Sequence, residues 1–247
     1  MELPDILHIE AVGYRGLAPC KPRSALPPSF IGFEAFCRVL QQMPGLRRLH
    51  MGGGDALLHP RFFDMVRAAT QQGIEVSASS ILTGLSRERA EACVESGLQR
   101  FVVAYDPSDA VLQRNLRRLR EAKDRLGART PEIEIARLRT GGQCDRPWRA
   151  VYLGTSGEVL ACDRASGPRR PVFGSAAKQG VLKAWNADAF HEFRHRLASD
   201  TPPDVCASCE MRHSALGFGE NAEPWNALGT PAKSVPSSTT VPSRTAA

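Results

Sequence analysis

Over its first 140 residues the chain alternates between two hydrophobic periods. Short runs such as Ile6 to Ile9, Leu46 to Met51, Ile74 to Ala78, Phe101 to Tyr105 and Ile133 to Ile135 read as strands. Helical spacing fills the gaps between them. Phe33, Phe36, Cys37 and Leu40 share one face of a helix over 33–42. A second helix starts at Pro60, a favoured first-turn residue, and ends before Gly73. Ser86 caps a third that runs to Ser96, and Gly97 suits its exit. The longest runs from Asp109 to Leu126, with Leu112, Leu116, Leu119 and Leu126 as its stripe and Gly127 at its end. Strands joined through helices by short links predict a parallel α/β sheet, here a partial βα barrel of about five strands.

From residue 141 the pattern changes. Trp148 to Cys162 reads as a hairpin turning at Thr155, Ser156 and Gly157, and a short helix follows at 188–198. Beyond about Gly229 the sequence is rich in Ser, Thr, Pro and Ala and carries no acidic residue. Three segments are expected: 1–140 as the partial barrel, 141–222 as a small Cys-rich hairpin and helix domain, and 223–247 as a disordered tail.

Composition narrows the function classes little. The 247 residues carry a net charge of +6, too mild to mark a nucleic-acid binder. No apolar run approaches a membrane span of roughly 18 residues, and residues 1–5 are acidic with no signal-peptide pattern. Seven cysteines with no secretory pattern point to a reducing, cytoplasmic setting, where clustered thiols are metal sites more often than disulfides.

Four of those cysteines carry metal-site spacing: Cys144, Cys162, and the C-x-x-C of Cys206 and Cys209. Four thiolates close around either zinc or an iron–sulfur cluster, and spacing alone leaves the two even. Cys37 and Cys93 occupy apolar helix positions and read as core. His191-Glu192-Phe193-Arg194-His195 is formally an H-E-x-x-H zinc motif. Phe190, Phe193 and Leu197 on the same helix predict a buried stripe that leaves both histidines outside. The basic residues of the long helix, Arg114 to Arg125, read as a solvated face.

The cysteine-rich segment resembles the SPASM/twitch domain that follows many radical SAM barrels. Cys144, Trp148, Gly157 and Cys162 match its opening, and Gly180, Trp185-Asn186, Phe190, Arg194, Cys206 and Cys209 match its close. The four-cysteine form implies one auxiliary [4Fe–4S] cluster, with zinc as the alternative. Residues 50–60, His-Met-Gly-Gly-Gly-Asp-Ala-Leu-Leu-His-Pro, are similar to the family's second strand end, which meets the amino group of S-adenosylmethionine (SAM). On that resemblance Gly53, Gly54 and Asp55 are a vestigial SAM turn, with Asp55 in place of the usual Glu. Glu91 to Gln99 and Phe101 to Pro107 also look like family stretches.

The departure follows strand 1. The family's C-x3-C-x2-C becomes Gly13, Leu17 and Cys20 here, so one cluster ligand of three remains. The family barrel also continues for another helix and strand, whereas Cys144 follows Ile135 within ten residues. The resemblance therefore implies a degenerate radical SAM protein that keeps an auxiliary cluster and does not cleave SAM reductively. Its expected role is an accessory or electron-transfer partner of an active radical SAM enzyme or of a peptide or natural-product biosynthesis protein. An enzyme using SAM or another nucleotide on the same barrel, and a zinc-bound interaction module, are the rival readings.

Overall fold

In the computed structural model, residues 3–13, 28–103, 108–138, 144–162, 170–207, 209 and 216–218 are described. The chain opens with β1 (Ile6–Gly13), β2 (Ser29–Phe30), α1 (Phe33–Gln41) and β3 (Arg48–Gly53). A 3-10 turn at Ala56–Leu58 leads into α2 (Phe62–Thr70) and β4 (Glu75–Ser80). Next come α3 (Arg87–Glu95), β5 (Arg100–Val103), α4 (Ala110–Arg125) and β6 (Glu132–Leu138). The cysteine-rich part holds α5 (Arg146–Arg149), β7 (Ala150–Leu153), β8 (Glu158–Leu160) and β9 (Val172–Ser175). It closes with α6 (Val181–Trp185), α7 (Asp188–Ala198), α8 (Asp204–Ala207) and β10 (Leu216–Phe218).

All the described strands join one sheet in the order β10-β6-β5-β4-β3-β1-β7-β8-β9, with β2 beside β1. The five expected strands run parallel, and a sixth joins them: β7 pairs parallel with β1, Ile6 opposite Ala150 and Ile9 opposite Leu153. The cysteine-rich segment thus extends the barrel sheet directly. Its hairpin continues antiparallel through β8 and β9.

Period two divides the sheet into two faces. Leu7, Ile9, Leu49, Met51, Val76, Ala78, Phe101, Val151 and Leu153 face the helices. They share one core with Phe36, Leu40, Met65, Val66, Leu112, Leu116, Leu119, Trp185 and Phe190. The core therefore runs unbroken from the barrel into the cysteine-rich part. Strand residues of opposite parity form the inner face of the partial barrel.

Several boundaries differ from the sequence reading. Pro60 lies ahead of α2, whose N-cap is Arg61. Trp148 belongs to α5, so the hairpin begins only at Ala150. Leu126 is exposed, since α4 ends one residue earlier and the stripe with it. Ser86 and Asp109 cap α3 and α4: the Ser86 hydroxyl oxygen accepts from the Arg89 amide, and the Asp109 carboxylate accepts from the Val111 and Leu112 amides. Ala104 to Pro107, Cys20, Leu17 and the segment 219–247 lie outside the described residues.

Candidate functional site

The four cysteines of the metal-site spacing form no disulfide and are half-buried. Cys144 stands two residues ahead of α5, and α5 feeds β7. Extending the hairpin register, in which Tyr152 faces Leu160, puts Cys162 opposite Ala150 at that same strand end. Cys162 packs with Ile6, Ala150, Tyr152 and Leu160 on the inner face. Cys206 leans on the main core from α8, and the Cys209 amide donates to the Cys206 carbonyl at 3.3 Å, folding the C-x-x-C into a turn. Burial pushes the Cys144 thiol up, the backbone and charge of Arg146 oppose that, and the nearby Cys209 adds to it. Cys144 and Cys209 are therefore electrostatic neighbours. Among the described residues, no three His, Cys, Asp or Glu side chains stand close enough to hold a metal ion. The donor chemistry, four soft and partly buried thiols, suits zinc or an iron–sulfur cluster.

Residues between Cys162 and Cys206 brace the supports of these cysteines. Arg194 is buried, with its guanidinium 4.0 Å from the Trp185 ring and 4.2 Å from the Phe190 ring. Its Nε donates to the Pro147 carbonyl at 2.7 Å, which ties α7 to α5 next to Cys144. His191 and His195 on that helix are exposed while Phe190, Phe193 and Leu197 are buried, as the stripe predicts.

The Gly53-Gly54-Asp55 turn lies at the other end of the strands. Ile6 is level with Arg48 and Val12 with Gly53, so at a rise of about 3.3 Å per residue the turn is roughly 20 Å up the sheet from the Cys162 level. Gly53 has φ +92°, and a Cβ there would meet Glu10 Cγ and, at 2.8 Å, the Val12 carbonyl. Only glycine fits that position. The Gly54 amide donates to the same carbonyl at 2.7 Å.

Asp55 is buried, and its carboxylate is fully engaged. It accepts from the Leu57 amide at 3.2 Å, the Thr83 amide at 2.9 Å and the Ser80 hydroxyl. Burial raises its pKa, and these donors oppose the rise. As placed here, Asp55 ties the end of β3 to the loop after β4. His59 is likewise structural: Nε2 donates to the Ile31 carbonyl at 2.8 Å and Nδ1 accepts from the Arg61 amide at 3.0 Å.

The sequence reading did not single out the inner face of the sheet. Strand register lines up Tyr152, His8, His50, Ser77, Arg100 and Glu132 in one row across six strands. The His8 ring lies 4.8 Å from the His50 ring and 4.5 Å from the Tyr152 ring. His50 is held at both nitrogens, by Ser77 at 2.7 Å and Ser79 at 2.8 Å. Burial pushes the His8 pKa well down, helped by His50 and Arg146. Glu134, one row up, is 7% exposed and has its pKa pushed up to about 7 by burial against the pull of Arg100. The signal for this face was present in the polar members of the strand alternation, His8, Glu10, His50, Ser77, Ser79 and Glu134.

Residues 144–210 match the SPASM family, an iron-sulfur cluster-binding domain. No curated protein matches the chain. Among solved structures, BtrN in an open conformation is similar over 87% of this chain and 96% of its own, at 16% identity and a TM-score of 0.62. BtrN in complex with AdoMet and 2-DOIA is similar over 79% of this chain and 87% of its own, at 18% identity and a TM-score of 0.60. SuiB of Streptococcus suis, bound to S-adenosylmethionine, gives 12% identity over 85% of this chain and 70% of its own, at a TM-score of 0.49. The chain has the α/β partial-barrel fold that it shares with BtrN. That fold is joined to a segment, residues 144–210, that matches an iron-sulfur cluster-binding domain.

Proposed function

We propose that this chain is an iron–sulfur protein that holds one auxiliary [4Fe–4S] cluster on Cys144, Cys162, Cys206 and Cys209 and does not cleave SAM reductively. The carrying observation is an asymmetry. The SPASM match opens on Cys144 and takes in all four cysteines, while the stretch after β1 offers Cys20 alone. A cluster with four thiolate ligands has no open iron for a substrate, so its work is electron transfer or structural support. The protein then acts as an accessory or electron-transfer partner, in the cytoplasm, of an active radical SAM enzyme or of a peptide or natural-product biosynthesis protein.

Zinc on the same four thiolates, in a structural or interaction module, is the second reading, favoured by nothing beyond the donor set itself. A SAM- or nucleotide-using enzyme on the same barrel has less support. The Asp55 carboxylate already accepts from Leu57, Ser80 and Thr83, which leaves it little capacity for a ligand amine. Anaerobic purification and reconstitution with iron and sulfide separates these readings. The expected result is a brown protein with about four irons and four sulfides per chain and no 5′-deoxyadenosine formed from SAM under reduction. About eight irons with SAM cleavage overturns the proposal, and stoichiometric zinc with no sulfide replaces it with the second reading.

A further inference from the structure

The outer face of α4 carries charge in a way that the helices before it do not. In α1, α2 and α3 basic residues stand against acidic ones a turn away: Arg38 with Glu34 at 4.0 Å, Arg67 with Asp64 at 2.6 Å, Arg87 with Glu91 at 3.5 Å. α4 holds six basic residues against two acidic ones, four of the chain's surplus of six positive charges. Arg114, Arg117 and Arg120 are exposed, and among the described residues none of them makes an ion pair. Glu121 and Asp124 follow a turn later and close no bridge to them. Like charges three and four residues apart repel, so Arg114 works against both Arg117 and Arg118. A face that needed only water would carry acid–base pairs, as the three earlier helices do.

Several exposed residues of α4 fall on one stripe. Val111, Arg114, Arg118, Glu121 and Arg125 recur every three or four positions, opposite the buried Leu112, Leu116 and Leu119. From Arg114 to Arg125 the stripe runs about 16 Å, at about 1.5 Å per residue. Beside it, between α3 and α4, the surface opens into a notch of about 290 Å³ lined by Arg87, Arg118, Glu121 and Arg125. The guanidinium groups of the notch are already placed. Arg118 Nη1 donates to the Leu85 carbonyl at 3.1 Å and to Asn115 Oδ1 at 3.2 Å. Glu91 takes both Arg87 and Arg125 as ion-pair partners. Side chains held in advance spare a ligand part of the cost of ordering them.

Arginine forks match carboxylates in shape as well as in charge. Neither α3 nor α4 has an aromatic residue on which a nucleic-acid base could stack. Glu121 and Asp124 break the basic row, so a backbone with a phosphate at every step meets repulsion there. A peptide can set its carboxylates opposite the arginines alone. Val111, 49% exposed, adds an apolar contact at the start of the stripe. We propose that the α3–α4 face is a docking surface for an acidic segment of a partner protein. The segment lays carboxylates along Arg114, Arg117 and Arg118 and sets one into the notch beside Arg87 and Arg125. The surface uses no cysteine and no residue of the sheet, so it stands or falls separately from the cluster reading.

The test is a fluorescence-anisotropy titration of the full-length, cluster-loaded chain with a dye-labelled oligoglutamate of about eight residues, long enough when extended to cover the stripe. Oligoglutamine is the neutral counterpart, and a single-stranded oligothymidylate of equal length stands for nucleic acid. The oligoglutamate is expected to bind saturably at low salt and more weakly as salt is raised, and oligoglutamine not to bind. Arg114→Glu combined with Arg117→Glu is expected to weaken binding by about tenfold or more. Lys183→Glu combined with Arg196→Glu makes the same change of charge at exposed sites on α6 and α7. That pair should weaken binding only about twofold, through net charge alone. In the native chain, amide resonances of α3 and α4 should shift on addition of the peptide, a readout that holds even if a variant misfolds. The proposal is overturned if the oligoglutamate does not bind at millimolar concentration, or if the two double variants weaken it equally. It is equally overturned if the resonance shifts fall outside α3 and α4, or if the oligothymidylate binds more tightly than the oligoglutamate.

Discussion

At the scale of single residues, burial sets the acid–base behaviour of the partial barrel, and it sets it in two opposing directions. Burial lowers the pKa of His8 and His59 from 6.5, so both resist protonation in the folded chain. The stability they confer is present above about pH 6.5 and is lost as acid drives them toward their folded values. Glu134 has the opposite sign. Its pKa rises from 4.5 to about 7, with Arg100 pulling down and Glu132 pushing up. Its contribution is intact below pH 4.5 and is lost as the pH climbs to about 7. Glu134→Gln should therefore leave stability nearly unchanged at pH 4.5 and raise it by pH 8. The gain should approach about 3 kcal/mol, the worth of the shift. Urea denaturation of both proteins across that range checks this, and a difference that shrinks with rising pH contradicts the assignment. Asp55 shows how far a residue's role escapes the sequence. Its position in a Gly-Gly-Gly-Asp turn was legible, but its bonds to Ser80 and Thr83 cross 25 and 28 residues of chain. Nothing in local spacing encodes them.

Among the elements, the strand–helix alternation was readable because each strand buries one face against helices and each helix buries one stripe. What escaped was pairing between distant segments. The hairpin within Trp148 to Cys162 was legible, but not that its first strand, Ala150–Leu153, would lie on β1. The inner face was legible in part. Its polar alternation stood in plain view in Glu132-Ile133-Glu134-Ile135, yet only register across strands turns scattered polar residues into rows. Reading strands by their apolar members alone hides such a face. The turn after β3 allows an element-level comparison. Gly53→Ala should cost about 2–4 kcal/mol, since it adds overlap with the Val12 carbonyl and Glu10 to a left-handed backbone. Gly180→Ala has a similar φ of +85°, but its nearest neighbour is Gln42 Oε1 at 3.7 Å, so it should cost only about 1 kcal/mol. Chemical denaturation of the two variants measures the difference, and equal losses would mean that crowding at Gly53 is relieved by a small shift of β1.

On the scale of the whole molecule, a single core joins Phe36, Met65 and Leu116 of the barrel to Trp185 and Phe190 of the cysteine-rich part. A cooperative unit of this kind should unfold in one transition, seen alike by far-ultraviolet circular dichroism and by tryptophan fluorescence. Its three tryptophans, at 148, 185 and 225, lie beyond the barrel segment. Fluorescence therefore reports mainly the second half and circular dichroism the whole. Midpoints that separate would mean the two halves melt apart. The place of β1 bears on how the chain is made as well as on how it holds together. Of the described strands β1 is the first to be synthesised, and it ends up between β3 and β7. One flank can close as soon as β3 has followed it. The other waits for a contact 144 positions away, Ile6 with Ala150. Until then a paired strand offers an open edge in the middle of the future sheet, and closure across so long a loop is slow. The nascent chain is most exposed to aggregation in that interval, and the segment bearing the four cysteines ends it by laying β7 against β1.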